Sequence, residues 1–378
     1  MTSRERILAA LRHEEADRVP IHDSPWVSAV ERWHQEGLPA DVNPAEYFDY
    51  EMVVFGADTS PRYPVHVVEE DKDYIVRTTP FGGVRRDHRD YSSTPEIIEW
   101  PCKSRDDWEQ MKPRLQPDRD RVDWDGSWLA GSADDDRGDD SVLETGRTDR
   151  RLGLPGWRRA REQGRFIAYG AAFGYDMMQN YVESQHLLTS LITDPEWVLD
   201  MYETDATLSI QMYELMRDGG FDFDGAFIFC DLGYRNGLLF SPRHYDRQLR
   251  PTFRRLVDYY HGEGLPVILH SCGCVKELVP RFIEDGLDCL QPLEQKAGMD
   301  LVELKREFGD DLALMGGIDA RATADPDPAV TDEELRSKIP VAMAGGGYIY
   351  HSDHSIPNNV SFSRYERVLE LVRELGEY

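Results

Sequence analysis

Positive charge is scarce in this 378-residue chain, with 43 Lys and Arg against 71 Asp and Glu, a formal net charge of −28. A surface of that sign repels phosphate backbones and anionic bilayers, which excludes nucleic-acid and membrane-surface binding as functions. Only seven of the 43 basic residues are lysine; an acid-rich, lysine-poor surface suits a salty cytoplasm, and a GC-rich genome gives the same Lys-to-Arg bias. Long apolar runs are missing: nothing approaches the ~18 residues that a membrane span needs. The opening MTSRERILAALRHEEADRVP has neither an apolar core nor a small-residue cleavage site, so it does not read as a signal peptide. Cysteine is scarce too, at five, an odd number that points to reduced thiols and a cytoplasmic location.

Against that background, two of the five cysteines stand one residue apart in LPVILHSCGCVK (265–276). A redox pair, a metal site and packed core cysteines are the three readings. A disulfide between positions so close would be strained.

Apolar periodicity predicts an organisation that can place this stretch. Residues 2–12 read as a helix with a capping box from Thr2 and Glu5. Residues 65–88 read as a β-hairpin, and 113–152, dense in Asp, Gly and Arg, as an acidic surface loop; together they form an excursion over about 60–160. From 164 onward short apolar runs alternate with helical patterns: 166–170, 226–230, 266–270, 289–292, 312–317 and 347–351. Adding 19–23 and 53–59 gives eight strands, which predicts an α/β fold of the (β/α)8 TIM-barrel class in one domain over 1–378; an open doubly wound sheet is the alternative.

Barrel chemistry sits at the C-terminal ends of the strands, and there His, Cys and acid collect. His270 and Cys272 are two apart in an extended segment and share a side. Imidazole and thiolate suit zinc, and a catalytic zinc takes three protein ligands and leaves a fourth position open. The last strand supplies His354, with His351 and Asp353 as reserve ligands or supporting groups. Asp231, at the end of 226–230, is placed to orient a metal-bound histidine or to act as a base, with a turn-capping role as the alternative. His22, Tyr175, Gln291 and Asp319 lie at the same rim as substrate-binding candidates, and Cys274 reads as a packed neighbour.

Three separated blocks carry a family resemblance: TSRERILAALRHEEADRVPI, the stretch from GLLFSPRHYDRQLRP through LHSCGC to LMGGIDAR, and GGGYIYHSDHSIPNNVSFSRYERVLELVREL. They resemble the uroporphyrinogen decarboxylase superfamily, and within it the methyltransferase-like branch that serves corrinoid proteins and thiols such as coenzyme M. The resemblance implies a TIM barrel and a zinc on the His-x-Cys motif plus a later cysteine. His270 and Cys272 match the first two ligands, and His354 stands where the later cysteine is expected. Imidazole in place of thiolate leaves one negative charge less and a more Lewis-acidic zinc, which fits activation of a methoxy or methylamine donor better than of coenzyme M.

The decarboxylase reaction itself is disfavoured, because a polycarboxylate substrate needs an arginine-rich loop and HDSPWVSAVERWHQEG offers only Arg32 between two glutamates. No Asp-x-His-x-x-Gly corrinoid signature is present, so a corrinoid would arrive on a separate protein. The expectation is a zinc-dependent methyltransferase acting between a small methylated substrate or thiol and a corrinoid partner, in a chain that the resemblance makes a homodimer. The alternatives are a lyase acting on a small carboxylate and a non-catalytic barrel that binds a small ligand or metal.

Overall fold

The structure, a computed structural model, describes residues 1–89, 95–127 and 153–378; most of the expected acidic loop, 128–152, lies outside them. Seven parallel strands form one sheet: β1 (Met52–Gly56), β6 (Phe166–Ala172), β7 (Gly225–Phe229), β10 (Val267–His270), β11 (Cys289–Gln291), β12 (Ala313–Met315) and β13 (Tyr348–Ile349), hydrogen-bonded in that order. Their unbroken apolar runs suit parallel strands covered on both faces.

The segment 19–23 closes the ring. Ile21 bridges Tyr350 in parallel, Tyr350 donates its N–H to Pro20 O and His22 donates to Tyr350 O, while on the other flank Glu51 donates to Ile21 O. Pro20 has no N–H to give, so this stave is a bridge rather than a full strand. The eight expected staves are therefore all present in a (β/α)8 barrel.

Strand periodicity divides the core in two. Met52, Val54, Phe166, Ala168, Phe227, Ile268, Cys289, Ala313, Met315 and Ile349 form the inner cluster, while alternate residues such as Ile167, Tyr169, Ile228, Leu269 and Leu290 join the outer one beneath the helices. The helix Ser3–Leu11, with the expected Thr2/Glu5 capping box, adds Ile7, Ala10 and Leu11 to the inner cluster and so stoppers the N-terminal end of the barrel. Two residues beyond the inner layer, the same inward series reaches Phe229, His270, Gln291 and His351. Register aligns His270 with both Phe229 and Gln291, so these residues share one level at the C-terminal mouth.

The excursion is larger than a hairpin. β2 (Val67–Glu70), β3 (Tyr74–Thr78), β4 (Val84–His88) and β5 (Glu96–Glu99) make a four-stranded antiparallel sheet. It is tied to the rim after β6, where Phe81 meets Tyr181 edge-on, Trp100 Nε1 donates to Gln179 O and Cys102 N to Tyr181 O. Most of residues 113–127 are exposed, and buried Arg121 anchors the segment by donating to the carbonyls of Gln116, Asp58, Ser60 and Arg114.

Candidate metal centre at the barrel mouth

After His270 the chain leaves the ladder, and each of the next four amides is spoken for. Ser271 N donates to Gln291 O (2.8 Å), Cys272 N to Asp231 Oδ1 (2.7 Å), Gly273 N to Glu294 Oε2 (2.9 Å) and Cys274 N to Tyr234 O (2.9 Å). The first fixes the loop to the barrel, and the next two aim carboxylates at Cys272 from either side. Tyr234 belongs to a small hairpin of β8 (Gly233–Tyr234) and β9 (Gly237–Leu238) that follows Asp231. Gly273 has φ +78°, and a Cβ there would lie 2.3 Å from the Gly233 carbonyl carbon. Glycine is required for the two loops to cross so closely.

The half-buried Cys272 thiol is the hub. His270 Nε2 lies 3.2 Å from its Sγ and 3.6 Å from Asp231 Oδ1, and the ligand atoms of Asp231, His270 and Cys272 lie within 4.8 Å of one another. A second group with the same spacing joins Cys272 to Glu294 and His354, with His354 Nε2 3.8 Å from Glu294 Oε1. Among the described residues, no such group holds both histidines. The expected trio of His270, Cys272 and His354 is thus gathered around one sulfur but divided between two clusters, each with its own carboxylate.

The donor set fits zinc: one thiolate, two imidazoles and two carboxylates, all zinc ligand types, converge at a mouth otherwise lined by the barrel core. Either trio, Asp231, His270 and Cys272 or Cys272, Glu294 and His354, would hold the ion through three protein ligands and leave its fourth position open, with the other trio's histidine and carboxylate beside it.

His351 and Asp353 belong to neither cluster. His351 is buried, its Nδ1 2.6 Å from Ser352 O. Asp353 accepts the N–H groups of Gln295 and Ala320 and so ties together the loops after β11, β12 and β13; burial raises its pKa to about 6. Of the substrate-binding expectations, Gln291 bonds His270 Nδ1 at 2.5 Å, and Asp319 caps the helix Ala320–Thr323 and pairs with Arg321 at 2.6 Å. His22 is buried 6.0 Å, centroid to centroid, from His351, and Tyr175 is buried against Phe240, with burial lifting its phenol to about 12.

Two further acids at this mouth stand outside the candidates taken from the sequence. Glu294 follows β11 after a reversal in which Leu293 takes φ +64°. Asp176 opens the short helix Gly174–Met178 after β6, and burial, followed by the charge of Asp231, raises its pKa to about 7. A carboxyl that titrates near neutrality supplies a proton donor at this mouth. Cys102, Cys230 and Cys289 are buried, as expected of packed thiols, and Cys274 packs half-buried against the outer core.

Comparison with known proteins agrees with the barrel. A methyltransferase from Methanosarcina mazei shares its fold, with a TM-score of 0.63 at 17% identity over 99% of both chains. The glycoside hydrolase domain of PelA from Pseudomonas aeruginosa (TM-score 0.30, 12% identity, 57% of this chain and 87% of that one) and the YdjI aldolase from Escherichia coli K12 (0.27, 13%, 56% and 81%) overlap only in part. No curated protein sequence matches. The uroporphyrinogen decarboxylase (URO-D) family model matches residues 177–375, more than half of the chain and the part that carries β7 to β13 with every residue of both clusters, and the protein belongs to that family.

Proposed function

We propose that this protein is a zinc-dependent methyltransferase that moves a methyl group between a small methylated substrate or thiol and a corrinoid carried by a separate protein. The observation that carries the reading is the convergence of His270, His354, Glu294 and Asp231 on the Cys272 thiol at the open end of the barrel. The full-length likeness in fold to the Methanosarcina mazei methyltransferase supports the same reaction class.

Zinc at this site would supply Lewis acidity toward the heteroatom that carries or receives the methyl group. The chain's own residues set up the rest. Asp231 and Glu294, each fixed by an amide of the Cys272 loop, keep negative charge on both sides of the thiol and hold the ligands in place before substrate arrives. Asp176, protonated near neutrality, is the group that can give a proton to a departing alkoxide or amine. The buried floor of the inner core keeps water from the side opposite the mouth.

The test is metal content by plasma mass spectrometry on untagged protein, followed by methyl transfer to cob(I)alamin across methoxy, methylamine and thioether donors. About one zinc per chain, lost in a Cys272→Ser, His354→Ala double variant, is the expected result. Wild-type protein that takes up no zinc when it is supplied would overturn the mechanism.

A further inference from the structure

His270 must present a lone pair at Nε2 to serve the Cys272 site, yet a neutral imidazole in water prefers its proton on that nitrogen. The residues behind it form a chain in which each donor leaves the next atom no choice. The chain begins at the Ser352 main-chain carbonyl, which can only accept. It lies 2.6 Å from His351 Nδ1, so that nitrogen carries the proton. The buried Asp23 carboxylate adds to this from 3.6 Å, itself held by the hydroxyls of Ser352 and Tyr365.

With Nδ1 protonated, His351 in its neutral form offers a lone pair at Nε2. Among the groups near that nitrogen, Gln291 Nε2 and Ser24 Oγ, each at 3.4 Å, are both able to donate. Turning its NH2 toward His351 points the Gln291 carbonyl the other way, 2.5 Å from His270 Nδ1. A carbonyl oxygen accepts only, so His270 carries its proton on Nδ1 and its lone pair on Nε2, which faces Cys272 Sγ and Asp231.

We propose that the Ser352 carbonyl sets the tautomer of His270 through His351 and Gln291, which makes Gln291 and His351 positioning residues for the metal ligand rather than substrate or metal contacts. All three links lie in the inward series at the mouth, on β10, β11 and the end of β13, so the barrel register itself builds the relay. The consequence for metal binding rests on the function proposed above; the tautomer does not.

The experiment is a long-range 1H–15N correlation spectrum of 15N-histidine-labelled, metal-free protein. Wild type is expected to show His270 and His351 both protonated at Nδ1. In Gln291→Leu, His270 should shift toward the Nε2–H form and zinc affinity fall about 10- to 100-fold. In His351→Phe, His270 should shift the same way although the two rings do not share a bond. Gln291→Glu, whose carboxylate accepts from His270 without needing a donor role toward position 351, should restore the Nδ1–H form in the His351→Phe background.

A wild-type His270 protonated at Nε2, or one indifferent to both Gln291→Leu and His351→Phe, would overturn the proposal, and the wild-type spectrum decides even if a variant fails to fold. The Nδ1–H form in a protein that binds no zinc would uphold the relay and remove the zinc reading instead.

Discussion

Asp205 sits inside the helix Pro195–Asp218, 2% exposed, where its carboxyl accepts the Gly174 N–H and its Oδ2 has no hydrogen-bond partner. Burial raises its pKa to about 8, the single hydrogen bond offsetting only part of the cost. The unfolded chain releases this proton near pH ~3.9, so between there and about pH 8 the folded state must retain a proton that the unfolded state has lost. Its contribution is fully present below the unfolded pKa and is lost as pH rises through the folded one. Asp205→Asn keeps the acceptor for Gly174 and cannot ionise; its melting temperature should match wild type near pH 4 and exceed it at pH 8, by the equivalent of a few kcal/mol. Equal differences at both pH values would show that Asp205 ionises freely. At this scale the sequence was unevenly legible. His270 and Cys272 could be read because strand alternation puts both on one side of a strand end. Glu294 reaches the same thiol only through the reversal at Leu293, which no periodicity records, and the acidity of Asp176 comes from burial and a neighbour 55 residues away.

Among the elements, those that bury continuous apolar runs were the readable ones. The staves 166–172, 225–229 and 267–270 fall within a residue or two of the expected ranges, because a parallel strand inside a barrel has no polar face to blur its ends. The helical stretch after β6 is divided into two helices, Ser184–Thr193 and Pro195–Asp218, at Asp194, which caps the second ahead of its proline. β5, with the sequence EIIE, went unread because it is an edge strand whose flanking glutamates look like loop. Most of residues 113–127 are exposed, as their Asp and Arg content suggests, but Arg121 within them is 2% exposed and satisfies four carbonyls from the excursion and from the end of β1's connection. Removing the guanidinium leaves those acceptors unpaired at about 1–3 kcal/mol each where water cannot replace it. Arg121→Met should therefore lower the melting temperature and open 112–127 to limited proteolysis. An unchanged proteolytic pattern would mean that water satisfies these carbonyls.

At the scale of the whole molecule, the acid surplus bears on stability through charge repulsion. Buried acids such as Glu51 and Asp224 are paired with arginines: Glu51 with Arg6 and Arg18, Asp224 with Arg4 and Arg161. Pairing of this kind takes up cations on interior acids, and the chain as a whole keeps a formal net charge of −28, which repels itself wherever like charges face solvent. Such repulsion destabilises the compact state most when screening is weakest, since the Debye length falls from about 30 Å at 0.01 M salt to about 3 Å at 1 M. The melting temperature should accordingly climb as KCl is raised across that range, with most of the gain arriving before ~0.3 M if the effect is screening alone and continuing to molar salt if the surface is adapted to it. An osmotically matched sucrose series separates charge screening from the general stabilisation of a compact state by excluded solutes. A melting temperature that follows sucrose and KCl equally would show that the surplus charge is spread too thinly to repel, and the scarcity of lysine would then say nothing about the medium in which the protein works.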